Sequence, residues 1–266
     1  MGMPDMITAK YSRLGMWLLI NALFKPQLRA SFNTVNLRIA ESARTITTDV
    51  PLIFMANHSS WWDGHLVALM NALVFHREGY TMMEDTQLAR YQFFRYAGCF
   101  SVNRADGRSA AESISYATRC LLAHNRALLI FPQGEILAND ARPLVFYNGM
   151  ARLIKPLARA ACVPVAIRLE FIGEAKPDAF VSAGAPVFVD GETRAGKYAI
   201  QQTTARLEVA LACELDALCE PLRARKFESF QTVLTGRPSI NRLWDAVRGK
   251  RQIRPLGPAK NETHAV

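Results

Sequence analysis

The sequence predicts an α/β fold: a largely parallel sheet flanked by helices, with an N-terminal interfacial helical segment. Three observations carry this. Short apolar runs that read as strands alternate with stretches in helical spacing, the pattern from which parallel sheets are built. With 266 residues the chain suits one domain with small terminal additions, ample for a single hydrophobic core. Half of its residues are apolar, too many for a disordered chain.

The elements follow in order. Lys10 and Arg13 precede an apolar run over residues 14–24. That run is about 11 residues, whereas a spanning helix needs about 20. Trp17, flanked by Lys10, Arg13, Lys25 and Arg29, suits a helix lying in a membrane interface. No clear small-residue cleavage site follows to mark a signal peptide. Pro26 is expected to break this helix. Residues 33–48 read as short strands, with Val35, Leu37 and Ile39 alternating against polar neighbours. A buried strand over 51–56 precedes a helix over 63–75. A short strand at 80–83 and a helix near 86–96 lead into a strand at 99–103. Residues 109–124 read as a helix with Ile114, Ala117 and Leu121 on one face. A compact apolar strand at 127–131 is ended by Pro132 and Gly134. A helix over 149–160, kinked at Pro156, leads into a strand at 163–169, where Pro164 is expected to shape an edge or end of the sheet. Residues 180–189 read as one strand. Leu207, Leu211, Leu215 and Leu218 mark one face of a long helix before Pro221.

Beyond Pro238 the chain is strongly basic (Arg242, Arg248, Lys250, Arg251, Arg254, Lys260), with a short helix expected through Leu243, Trp244 and Val247. The expected organisation is an N-terminal membrane-surface helix (1–32), a central domain (33–235) and a basic C-terminal segment (236–266). There are 32 Lys+Arg against 23 Asp+Glu, a formal charge of +9. This excess favours anionic partners: nucleic acid, an acidic membrane surface or phosphorylated substrates. No basic-aromatic stacking pattern or recognised motif supports nucleic acid, which is excluded as a partner. The five cysteines (99, 120, 162, 213, 219) form no CxxC pair. Cys99, Cys120 and Cys162 lie in apolar runs and read as small core residues, against a disulfide framework or a zinc site.

The most informative stretch is Asn57-His58-Ser59-Ser60-Trp61-Trp62-Asp63. A histidine backed by a carboxylate is the usual general base near neutral pH. On a helix His58 and Asp63 would lie about 140° apart, so they meet only if the chain turns between them. A strand ending near Ala56, a loop through Ser59 and Ser60, and a helix opening around Trp62 or Asp63 supply that turn. The other histidines read as structural; His65 reaches the site only if the first helical turn opens.

This stretch resembles the first motif of the glycerophospholipid acyltransferase family, of the lysophosphatidic acid acyltransferase type: Asn-His, four residues, Asp. Three further blocks follow in the family's order. Gly98-Cys99-Phe100-Ser101-Val102-Asn103-Arg104 is similar to the second, Phe131-Pro132-Gln133-Gly134-Glu135 to the third, and Cys162-Val163-Pro164-Val165-Ala166-Ile167 to the fourth. The resemblance implies acyl transfer from a CoA or acyl-carrier-protein thioester to a hydroxyl of a lipid acceptor. It implies no covalent acyl-enzyme, no metal and no cofactor, the thioester being a co-substrate. His58 would take the proton of the acceptor hydroxyl, and Asp63 would fix the imidazole's tautomer and stabilise the imidazolium. The remaining candidates bind substrate: Asn57, which is also expected to shape the loop by side chain-to-backbone bonding, Arg104, Gln133, Gly134, Glu135 and Arg142. In the family the arginine of the second block is associated with the acceptor's phosphate, and a guanidinium fork suits that oxyanion. Arg108, after a turn at Asp106-Gly107, stands near enough in sequence to assist.

The third block departs from the family's Phe-Pro-Glu-Gly-Thr-Arg. Gln133 replaces glutamate, Glu135 replaces threonine, and Ile136 stands where the arginine would be, with Arg142 as a substitute six residues on. These changes bear on the acceptor more than on the reaction. They open the way to a less anionic one, such as a lyso-aminolipid, a glycolipid or another lipid alcohol. The expected location is the cytoplasmic face of an anionic membrane, peripheral or monotopic. The alternatives are an acyl thioesterase and a non-catalytic lipid-binding protein on the same fold. No Gly-x-Ser-x-Gly elbow is present to support a serine hydrolase.

Overall fold

The computed structural model describes residues 6–191, 196–239 and Trp244. The chain begins with α1 (Arg13–Leu18), a π-helical stretch (Leu19–Phe24) and α2 (Lys25–Ser31). Then come β1 (Thr34–Ile39), α3 (Glu41–Arg44), β2 (Leu52–Ala56) and α4 (Asp63–Met70). Next are β3 (Glu78–Glu84), α5 (Asp85–Arg90), a 3-10 turn (Gln92–Ala97), β4 (Cys99–Val102), α6 (Gly107–Leu121) and β5 (Arg126–Ile130). The chain continues with α7 (Gly149–Ile154), β6 (Arg159–Glu170), β7 (Asp178–Ala183), β8 (Val187–Asp190), α8 (Lys197–Arg223) and β9 (Gln231–Thr235).

The described strands form one sheet in the order β4-β3-β5-β2-β6-β7-β1-β9, with β8 beside β6. From β4 to β6 all neighbours are parallel. Each parallel step needs a crossover, and α4, α5, α6 and α7 supply them in turn. β7 runs antiparallel to β6, and β1 joins β7 in parallel. β2 is buried on both faces. Phe54 packs on Leu66, Leu69 and Met70 of α4 and on the Ile20, Phe24, Leu28 face of the N-terminal helices. Ile53 and Met55 pack on the opposite side, with α6, α7 and the Leu207, Leu211, Leu215, Leu218 stripe of α8. The loops after β2, β3, β4 and β5 therefore open along one edge, where open parallel sheets hold ligands.

Prolines account for several departures from expectation. Pro26 does not end the first helix. The preceding stretch is widened, Lys25 N–H reaching the Ile20 carbonyl, and that widening accommodates a ring that would clash in an α-turn. Pro221 lies inside the last turn of α8 rather than beyond it. The Ala217 carbonyl, which a residue with an N–H at 221 would occupy, instead accepts Arg38 Nη1 at 3.2 Å. Pro164 is central, not at an edge. It pairs with Met55 of β2, and β6 changes its other partner there, from β8 (through Cys162) to β7 (from Val165), so no ladder donor is missed. The expected strand 180–189 is two strands, β7 and β8, parted at Gly184-Ala185-Pro186. The helix expected over 149–160 stops at Ile154, and β6 starts at Arg159.

Of residues 33–48 only β1 is a strand. The loop after α3 instead turns its carbonyls at Ile46, Thr47 and Thr48 onto the buried guanidinium of Arg77, at 2.7–3.1 Å. The helix expected near 86–96 breaks at Tyr91 into α5 and the 3-10 turn, and β9 was not anticipated. The basic residues from Arg242 onward, with Leu243 and Val247 of the expected terminal helix, lie outside the described residues.

Candidate active site

β2 ends at Ala56, and the next residue fixes how the chain leaves the sheet. The Asn57 amide donates to the Ile167 carbonyl at 3.0 Å and accepts the Ile167 N–H at 2.8 Å. It acts as an extra rung to β6 and is buried, so both polar atoms are spent on the scaffold rather than offered to substrate.

The chain then turns around one carboxylate. Asp63, at the start of α4, is 0% exposed. Its Oδ2 accepts the Ser59 and Ser60 N–H groups at 2.6 and 2.8 Å and faces His58 Nδ1 at 2.9 Å. Its Oδ1 accepts Ser60 Oγ at 2.5 Å. A carboxylate only accepts, so the imidazole donates from Nδ1 and keeps Nε2 as an acceptor. The His58 side chain is 23% exposed, so the imidazole lies at the surface of the site. Its ring stacks on Phe131, centroids 4.2 Å apart and planes 19° apart, and its carbonyl accepts the Leu137 N–H at 2.8 Å. The first and third blocks are thereby locked together, as the β2–β5 pairing dictates.

The second and third blocks meet at Gly134. Its φ of +73° suits glycine, and a Cβ there would lie 2.8 Å from both Arg104 Nη1 and Tyr147 Cε2. Tyr147 is anchored by its N–H to the Pro132 carbonyl at 2.9 Å. Arg104 follows β4, where Asn103 donates to Asp85 Oδ2 at 3.0 Å, and its Nε pairs with Glu84 Oε2 at 3.3 Å. Gln133 is buried and Glu135 exposed. Arg142, expected to substitute for the missing arginine, has its guanidinium paired with Asp216 of α8 at 3.3 Å.

Phe131 belongs to the third block, but its role as the surface carrying the imidazole has no mark in the sequence. Tyr147 and Glu84 were missed. No spacing signal marks them, because they reach the site only through the strand order.

His65 takes no part. It is buried among Phe24, Trp61, Trp62 and Phe94, and burial lowers its pKa to about 4, against a smaller upward effect of its bond to the Trp61 backbone. The unfolded chain, with an ordinary value of 6.5, binds this proton first as pH falls. The contribution is therefore complete above about pH 6.5 and is lost down to about pH 4, about 3 kcal/mol in all. Denaturant titrations from pH 7.5 to 4.5 are expected to give a shallower loss of stability in His65→Phe, by up to about 1.4 kcal/mol per pH unit. Equal slopes would assign the acid sensitivity to other groups.

A family model described as Acyltransferase matches residues 35–168, half of the chain, including both ends of the His58–Asp63 pair, Arg104 and Gly134. A 1-acyl-sn-glycerol-3-phosphate acyltransferase of Streptococcus pneumoniae (strain ATCC BAA-255 / R6) is 27% identical over 121 residues, covering 44% of this chain and 41% of that relative. The match thus spans less than half of the relative's length.

Proposed function

Because the chain belongs to the acyltransferase family, we propose that it moves a fatty acyl group from a CoA or acyl-carrier-protein thioester to a hydroxyl of a lysophospholipid-like or other lipid acceptor. The observation that carries this is the fully buried Asp63 holding His58 Nδ1 at 2.9 Å on a partly exposed imidazole. His58 Nε2 takes the acceptor's proton as its oxygen attacks the thioester carbonyl, and the imidazolium is stabilised by Asp63. The tetrahedral intermediate collapses with formation of the ester and loss of the thiolate, which recovers a proton from His58. A thiolate leaves readily, so positioning and deprotonation of the hydroxyl are the main tasks. Arg104, beside the Gly134 turn, holds the polar part of the acceptor. No metal and no cofactor enters this scheme. The domain proposed to carry this chemistry is residues 33–235.

The test is free-thiol release from a long-chain acyl-CoA, and from acyl-carrier protein, with and without lyso-lipid acceptors. Acceptor-dependent release supports transfer. Release indifferent to acceptor means a thioesterase, and none with either donor means a binding protein.

An anionic membrane surface, on the cytoplasmic face, is the proposed partner, with the protein peripheral or monotopic. The N-terminal helices are apolar on two sides. Ile20, Phe24 and Leu28 enter the core, while Leu14, Trp17 (58% exposed) and Leu18 face outward one turn apart. α1 packs on the 3-10 turn, where Gly15 approaches Tyr96, and exposed Phe93 and Tyr96 continue the apolar face. Rings at Tyr91 and exposed Trp61 carry it on to the loop of His58. No helix among the described residues is long and apolar enough to cross a membrane. Such a two-sided helix suits the interface, where aromatic rings and basic flanks settle. Trp17→Glu is expected to weaken sedimentation with phosphatidylglycerol-containing vesicles by about tenfold or more, since one large apolar side chain is worth about 1.5–3 kcal/mol. Unchanged partitioning would move the contact elsewhere.

A further inference from the structure

The surroundings of Arg104 carry an inference that rests on the proposed transfer and concerns which acceptor it serves. We propose that Glu84 and Tyr147, flanking Arg104, determine the acceptor headgroup and select an uncharged, hydroxyl-bearing one over a phosphate monoester.

The charges along this edge of the sheet decide the matter. Arg104 is not a free cation: its Nε pairs with Glu84 Oε2 at 3.3 Å, with side chains 46% and 35% exposed, so both groups can meet a ligand. The neighbouring Asp85 carboxylate holds Asn103 from β4. At the start of α6, Asp106 caps the helix and Arg108 is exposed. Along the end of β3, the start of α5 and the turn from β4 into α6, the cations at 104 and 108 stand among carboxylates at 84, 85 and 106. On the remaining side, the loop after β5 contributes Glu135 and an exposed Ile136, and its one cation, Arg142, is paired with Asp216 of α8 at 3.3 Å. A phosphate monoester brings a charge of about −1.5 to −2 and needs several cationic donors. Here it would approach a guanidinium already paired with a carboxylate and would meet that Glu84 charge in the same step.

A hydroxyl-bearing headgroup fits the same atoms without repulsion. The Glu84 carboxylate accepts from its hydroxyls, and the guanidinium N–H groups left unused by the ion pair donate to them. Tyr147 completes the set. Its Cε2, the ring atom beside the phenolic carbon, and Arg104 Nη1 both lie 2.8 Å from one point, the Cβ position of Gly134, so they stand no farther apart than twice that distance. The exposed phenol thus offers a donor and acceptor beside the ion pair, and the bare Gly134 leaves the space between them. Any side chain at 134 would push Arg104 and Tyr147 apart.

The test compares two acceptors in the thiol-release assay, lysophosphatidic acid and a monoacyl galactosylglycerol, with saturation kinetics for wild type, Glu84→Gln and Tyr147→Phe. Wild type is expected to favour the glycolipid by at least tenfold in kcat/KM. Glu84→Gln keeps the shape but frees the guanidinium's charge, and is expected to lower KM for lysophosphatidic acid and shrink the preference by at least fivefold. Tyr147→Phe removes only the hydroxyl, and is expected to raise KM for the glycolipid severalfold with kcat unchanged. A wild-type preference for lysophosphatidic acid, or a preference ratio that Glu84→Gln leaves unmoved, overturns the inference while leaving acyl transfer intact. Absence of acceptor-dependent release with every acceptor would instead overturn the proposed transfer itself.

Discussion

His58→Ala is expected to lower acceptor-dependent thiol release by about 10²- to 10⁴-fold, the usual range for loss of a general base. The fold should survive the change. The imidazole is partly exposed and its partner carboxylate keeps three other donors: the Ser59 and Ser60 N–H groups and the Ser60 hydroxyl. What the fold loses is the stacking contact with Phe131 and the Nδ1 bond to a carboxylate that stays satisfied, about 1 kcal/mol each. Rate and melting temperature therefore separate the two roles a buried-edge histidine can have. Collapse of the rate with a near-native melt, and with vesicle binding retained, is the catalytic signature. A rate within a factor of a few of wild type would remove His58 from the chemistry. It would then leave the non-catalytic lipid-binding alternative ahead.

The His58–Asp63 pair was legible because its logic is local. The spacing forbids contact on a helix, the apolar run before it ends a strand, and only a turn then brings the two together. The strands that hold the site were legible for a related reason: Leu52–Ala56 and Arg126–Ile130 sit in the middle of the sheet, covered on both faces, and so read as short apolar runs. Tertiary partners escaped. The stack of His58 on Phe131 and the meeting of Arg104, Gly134 and Tyr147 depend on strand order, which periodicity does not encode. β9 escaped because one of its five residues is fully buried, so its pattern resembles a loop. The proline rules failed at three places because the surroundings absorb the ring or its missing N–H: a widened turn before Pro26, a change of strand partner at Pro164, and Arg38 serving the Ala217 carbonyl at Pro221. Arg142 shows another limit: nearness in sequence did not reveal that α8 offers this cation Asp216 as a partner.

Asp63→Asn is expected to cost less than Asp63→Ala, and the difference isolates the carboxylate's charge from its geometry. Two backbone N–H groups, those of Ser59 and Ser60, point at the site of Oδ2 and cannot turn away. An asparagine amide must therefore place its oxygen there, and its NH₂ falls opposite Ser60 Oγ. That hydroxyl already accepts the Trp62 N–H at 3.2 Å and can rotate to accept a second donor. The amide oxygen still faces His58 Nδ1, so the imidazole keeps its proton on Nδ1 and Nε2 remains the base. Only the charge that stabilises the imidazolium is lost. A charge-assisted bond is worth about 1.5–3 kcal/mol, which predicts a fall in kcat of about 10- to 10²-fold with KM and melting temperature close to wild type. Asp63→Ala leaves two backbone donors and the imidazole unpaired at a fully buried position. It is expected to destabilise the protein by about 2–4 kcal/mol and to lose activity to the level of His58→Ala. The comparison needs steady-state kinetics and denaturant unfolding on the two variants. A fall of about 10⁴-fold in Asp63→Asn would mean that the amide turns the other way and inverts the tautomer. No fall at all would mean that the acceptor's proton does not leave through His58 under the influence of this carboxylate.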